Sequence, residues 1–425
     1  MTRAKAKETL AGYLYLLPSL IVLGVFVFWP IGFSFVLSFF KWDFRNMKSP
    51  TFGFFSNYKE IFHFIEPPKY SFTEALIYTG IIVGLALIGT YLVVSIFKKK
   101  NRVFVYDLLI LLGAISLIYI AKSSMENVYL ASVISVVLLV YGIYELSRNR
   151  DYNISHFWSV FFLFIIFFVI FTIYLPLKTN IVSWLVDAKE KNDFLKALYN
   201  TTYYVILTVP ITLAISLGVA LLLNKNIKFR AAFRTAYFIP FVTSVVAISL
   251  VWQWIFNDDY GILNYFLSFF HIDRIAWLKD ERWTIPTVAI VSIWKTIGYD
   301  AVIFLAGLQN IDKFYYEAAD VDGANSFQKF MYITWPLLSP TTFFLTIVSF
   351  IGAFKVFTEI FVLYQGLPGP YNKSGLTMVY YVFDLFYNQQ RMGLACAAAY
   401  LLFGIILIFT IIQYTVGKKM VEYVS

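Results

Sequence analysis

Long apolar runs separated by short charged stretches dominate this chain. A helix needs about 20 predominantly apolar residues to cross the hydrocarbon core of a bilayer. Runs of that kind fall at 11–40, 72–97, 103–121, 128–147, 157–177, 201–223, 236–254, 287–308, 341–363 and 394–416. They predict an all-α fold: a polytopic transmembrane helix bundle of about ten spans. The first run is about 30 residues long, well beyond a signal-peptide core, and reads as a retained first span.

Composition agrees with this pattern. Of the 425 residues 60% are hydrophobic and only 14% charged, which a water-facing globular surface does not tolerate. The net charge of +9 matters for where it sits. Cytoplasmic loops hold the Lys and Arg excess of a membrane protein, and KKKNR from Lys98, SRNR from Ser147 and NKNIKFRAAFR from Asn224 are such loops. Both termini are therefore expected in the cytoplasm of a multi-pass protein of the cell membrane, and nucleic acid is not an expected partner. Cys396 has no intramolecular partner for a disulfide, and His63, His156 and His271 are scattered on separate loops, so no metal site is expected.

Three regions differ in character. Residues 1–69 hold the N-terminal tail, the first span and an external loop; 70–193 form a hydrophobic block of about four spans; 194–425 carry spans interrupted by Pro, Gly and charges. Ionisable groups are expensive inside a bilayer, so function is expected in the third region. Its intramembrane charges are Lys295, Asp300, Lys355 and Glu359. Lys355 and Glu359 are four apart on one predicted helix, and mutual pairing is their plainest explanation.

The run from Glu317 to Pro340, EAADVDGANSFQKFMYITWPLLSP, is a polar interruption on the expected cytoplasmic side. Here Asp312 is a candidate cap for an amphipathic helix with Phe314, Ala318 and Val321 on one face. Gly323 is its natural stop and Ser326 a candidate cap for the next turn. Pro336 and Pro340 mark entry to the following span. An interfacial helix on lipid is one reading. The small Ala318, Ala319 and Gly323, which let a partner surface approach closely, favour protein.

The pattern formed by Glu317, Ala318, Ala319, Asp322, Gly323, Ala324, Phe330, Ile333, Pro336, Leu338 and Pro340 resembles the EAA loop of binding-protein-dependent ABC importer permeases, in particular their carbohydrate branch. FGFFSNYKEIF from Phe52, FLKALYNTTYYV from Phe194 and RMGLACAAAYLLF from Arg391 continue the resemblance in order. It implies a MetI/MalF-like permease core with an extra four-span insertion, and EAA coupling through 309–340. The resemblance further implies that Glu317, Ala318, Ala319, Asp322, Gly323, Ala324 and Pro336 meet a cytoplasmic ATPase. The implied partners are a second permease in a heterodimer, two ATPase subunits, an extracellular solute-binding protein and a carbohydrate substrate. No cofactor is expected on the chain itself: it has no GxxxxGK[ST] string, so ATP and Mg would be handled by the partners, and the chain is not expected to be an enzyme.

A sugar site requires aromatic platforms and hydrogen-bonding groups near the middle of the membrane. By resemblance the substrate path runs through Phe241, Thr243 and Ser244, then Trp294, Lys295, Gly298, Tyr299 and Asp300 in WKTIGYD, and Ser349, Lys355 and Glu359 in SFIGAFKVFTE. The external loop YQGLPGPYNKS from Tyr364 stands where the family meets its solute-binding protein. Two other classes remain open at this level: an ion-gradient-driven secondary transporter using the four intramembrane charges, and a membrane-embedded lipid-handling enzyme.

Overall fold

A computed structural model describes residues 3–44, 48–97, 163–168, 170–172, 175, 177, 179–225 and 228–417. The expected spans at 103–121 and 128–147 lie outside the described residues, and the one at 157–177 is described only in pieces. The chain divides into two compact units, one made of Met1–His63 with Asn192–Ser425 and the other of Phe64–Lys191.

The larger unit opens with α1 (Arg3–Leu23), a wide helical turn at Gly24–Phe28, and α2 (Trp29–Leu37). A two-stranded antiparallel ribbon follows, β1 (Phe40–Lys41) with β2 (Thr51–Phe52), pairing Phe40 with Phe52. Helix α3 (Ser56–Ile61) carries Asn57, whose Nδ2 donates to the carbonyls of Ser38 at 2.8 Å and Phe40 at 2.9 Å. In the second unit α4 (Phe72–Phe97) packs against α5 (Ile181–Lys191), where Trp184 Nε1 donates to the Tyr70 carbonyl at 3.1 Å.

The rest of the larger unit is built on α6 (Asp193–Asn224), which starts sharply because the Asn192 side chain accepts from Leu195 N–H at 2.9 Å. After it come α7 (Arg230–Val242), α8 (Val245–Ile255), the short α9 (Ile262–Ser268) and α10 (Thr284–Gln309). Helices α6 and α10 pack along their length, and Ser216 Oγ donates to the Ile297 carbonyl at 3.0 Å. Then follow α11 (Lys313–Val321), α12 (Ser326–Lys329), α13 (Ser339–Ala353), α14 (Thr358–Leu363), α15 (Met378–Phe383) and α16 (Met392–Gly417).

Among the described residues five helices are long and apolar enough to cross a membrane, or seven if each sharply bent pair counts as one span. About ten spans is therefore not what the described residues contain. The predicted span 236–254 is broken: α7 and α8 meet at 98°. Pro240 removes one backbone donor from the end of α7, and Thr243 turns extended. The predicted span 341–363 is also broken. Helix α13 stops at Ala353 and α14 starts at Thr358, with Phe357 at φ −153° and ψ −57° between them. Apolar periodicity carries no record of either break.

Candidate functional site

The break between α13 and α14 opens one wall of a cavity of about 540 Å³ in the larger unit. Helix α10 contributes Ser292, Lys295, Thr296, Tyr299 and Asp300; α6 contributes Tyr204, Thr208 and Thr212; Ser349, Gly352, Lys355, Thr358 and Glu359 come from α13, the break and α14. Phe241 from α7 closes one end, stacked on Tyr299 with ring centroids 4.5 Å apart and planes 17° from parallel. Asp300 is 3% exposed, and its Oδ2 has no hydrogen-bond partner among the described residues; the same holds for Thr212 Oγ1. An unpartnered polar atom in such a setting is costly, and the hydroxyls of a polyol relieve that cost because each can both donate and accept.

Of the residues expected along the path, Phe241, Lys295, Tyr299, Asp300, Ser349, Lys355 and Glu359 meet in this cavity. Four others do not line it. Trp294 points into a separate, wholly apolar cavity of about 470 Å³ and packs edge-on against Trp252. At Gly298 a Cβ would lie 1.8 Å from the Tyr237 carbonyl oxygen, so this glycine is where α7 crosses α10. Thr243 Oγ1 donates back to the Ile239 carbonyl at 2.8 Å, and with Ser244 it forms the bend between α7 and α8.

The expected Lys355–Glu359 pair is also absent: among the described residues no ion pair joins them, because the helix that would have set them one turn apart is unwound at 354–357. The sequence reading missed Tyr204, Thr208, Thr212, Ser292 and Thr296. A signal existed, since 204, 208 and 212 repeat every four residues and so share one helix face.

The polar segment after α10 is a pair of capped helices. Asp312 Oδ1 accepts from Phe314 N–H at 2.9 Å, and Gly323 ends α11 at φ +74° while Ala324 N–H reaches back to the Ala319 carbonyl at 2.9 Å. The expected cap Ser326 is displaced by Asn325. Its side chain accepts from Gln328 N–H at 2.9 Å while the Gln328 side chain accepts from Asn325 N–H at 2.8 Å, a reciprocal capping box. An ion pair between Lys329 and Asp320 joins the two helices across the turn. Phe314, Val321 and Phe327 are 69%, 89% and 71% exposed, an apolar ridge beside the exposed Glu317.

Residues 188–422 match the family model described as "Binding-protein-dependent transport system inner membrane component". The chain is 39% identical over 243 residues to the arabinooligosaccharides transport system permease protein AraP of Halalkalibacterium halodurans, covering 56% of this chain and 76% of that protein. It is 33% identical over 230 residues to the lactose transport system permease protein LacF of Rhizobium radiobacter, covering 53% and 76%. Among solved structures, a chain of a bacterial alginate ABC transporter in complex with an alginate pentasaccharide-bound periplasmic protein superposes with a TM-score of 0.51 at 23% identity. That match covers 64% of this chain and 98% of the other, and is a likeness of fold.

Proposed function

Since the chain belongs to the binding-protein-dependent transport inner membrane component family, and is thus a multi-pass transport component rather than an enzyme, we propose that it imports a sugar or oligosaccharide across the cell membrane, driven by ATP hydrolysed on partner subunits. The observation that carries the coupling is the capped pair α11–α12, whose exposed apolar ridge of Phe314, Val321 and Phe327 lies beside Glu317. Two caps, a glycine turn and an ion pair make this pair rigid, and a rigid element transmits displacement to the spans on either side. Glu317, Ala318, Ala319, Asp322, Gly323, Ala324 and Pro336 are the coupling residues in this reading. It places α11–α12 and both termini in the cytoplasm, with two ATPases below.

A second permease subunit completes the path, and a solute-binding protein delivers cargo from outside. Names of the relatives, arabinooligosaccharide and lactose permeases, support a carbohydrate cargo. So does the cavity, where Lys295 and Lys355 can donate to hydroxyls, Asp300 and Glu359 can accept from them, and the Phe241–Tyr299 stack offers an aromatic face. The core is 194–425, and the block 70–193 is an insertion in the first external loop, ahead of it.

Co-purification tests the coupling. Full-length chain expressed with its ATPase subunits is expected to retain them, and Glu317→Lys or Gly323→Pro to lose them; an ATPase that stays bound to both variants sinks the reading. Transport by this chain alone in liposomes under an ion gradient would do the same.

A further inference from the structure

The unwound stretch at 354–357 leaves backbone carbonyls ahead of Phe357 without the helical partner four residues on, and in a buried membrane core each must find another. One of them has: Thr377 Oγ1 donates to the Val356 carbonyl at 2.9 Å, and Thr377 is fully buried. Thr377 lies at the end of the loop that begins at Tyr364, outside the cavity lining. Its own position is fixed from both sides. The preceding Leu376 carbonyl accepts from Asn200 Nδ2 at 3.0 Å, and the following Met378 N–H donates to Thr201 Oγ1 at 2.9 Å. Both partners sit on α6, so the hydroxyl is a fixed point carried by the core's longest helix.

Val356 lines the cavity, as do Lys355 before it and Thr358 and Glu359 just after it. We infer that Thr377 is a positioning residue for this wall. Its hydroxyl, through the Val356 carbonyl, sets the conformation of 354–357 and so the directions in which Lys355 and Glu359 present their charges to the substrate. This rests on the reading of the cavity as the sugar path. It goes beyond that reading by assigning specificity to a residue that does not touch the cargo.

The test reads the local charge directly. Full-length chain with Cys396→Ser and Thr358→Cys, assembled with its partners in lipid nanodiscs, is labelled with methanethiosulfonates carrying either an anionic or a trimethylammonium head. The ratio of the two rates reports where the carboxylate and ammonium next to position 358 point. Adding Thr377→Val, which keeps shape and removes the hydroxyl, is expected to change that ratio about fivefold, the equivalent of one net hydrogen bond. Thr377→Ser is expected to restore it. An unchanged ratio in Thr377→Val overturns the inference, as does a changed ratio that Ser fails to restore, since that marks a packing defect. Failure of the cavity reading is seen separately, as sugar uptake that is indifferent to Asp300→Asn, and leaves the reagent ratio to decide Thr377 by itself.

Discussion

Gly298 on α10 and Gly352 on α13 have opposite surroundings. A Cβ at 298 collides with the Tyr237 backbone, whereas one at 352 meets nothing within 4 Å and projects where the cavity is lined. Gly298→Ala is therefore expected to cost roughly 1–3 kcal/mol of stability through forced separation of α7 and α10, read as a lowered melting temperature in detergent. Gly352→Ala should leave the melting temperature alone and reduce sugar uptake; normal uptake would remove Gly352 from the path. Asp300→Asn keeps the shape of its side chain and exchanges one carboxyl oxygen for an amide donor, so uptake is expected to fall at least about tenfold, the equivalent of 1.4 kcal/mol. Sequence alone placed Asp300 on the path but placed Gly298 there too. A helical glycine in a span reads the same whether it serves a ligand or a backbone crossing, and only the 237–298 approach separates the two.

At the scale of elements, α11–α12 was legible almost in full. Its amphipathic face, the Asp312 cap and the Gly323 stop all follow from local chemistry, and the structure holds each of them. The cap of α12 moved by one residue because Asn325 and Gln328 satisfy each other, a reciprocity that Ser326 at the next position lacks. Asn325→Ala is expected to cost about 1 kcal/mol of helix stability and to weaken ATPase retention, with Ser326→Ala neutral; equal loss in both variants would contradict the capping box. In the smaller unit, Asp187 on α5 accepts from the Lys69 N–H at 2.8 Å and pairs with Lys191. The Lys69 hydrogen bond, followed by that of Lys191, holds the Asp187 carboxyl below its usual range. A depressed folded value means its contribution is complete above the ordinary carboxylate range and is lost as pH falls through the folded value. Hydrogen exchange of the Lys69 amide should therefore be protected at neutral pH and lose protection on acidification, and Asp187→Asn should abolish that pH dependence.

Across the whole molecule, the cavity is a product of two helix interruptions and one polar helix face that apolar counting cannot see. The bend of α7 against α8 at 98° brings Phe241 onto Tyr299. The break at 354–357 turns an expected ion pair into two separate charges on one wall. The third wall is the hydroxyl face of α6, which hydropathy reads as ordinary span. The GLPGP loop is tied into the same core: Ser374 Oγ and Thr284 Oγ1 lie 2.8 Å apart, and Lys373 pairs with Asp193 at 2.6 Å. Asn200→Ala, which unties the Leu376 carbonyl, is expected to reduce uptake supported by the solute-binding protein while leaving ATPase retention intact. Loss of both together would mark a general folding defect.

The sequence by itself determined that this chain is helical and membrane-spanning, with a capped polar segment between two spans, because apolar length and capping chemistry are local properties that need no distant partner; the transport role was carried by motif resemblance. Tertiary structure decided which polar residues share a cavity, where the spans break and which glycine is a crossing rather than a contact. Those depend on where a backbone carbonyl freed in one helix finds its donor, and for Val356 that donor is 21 residues away.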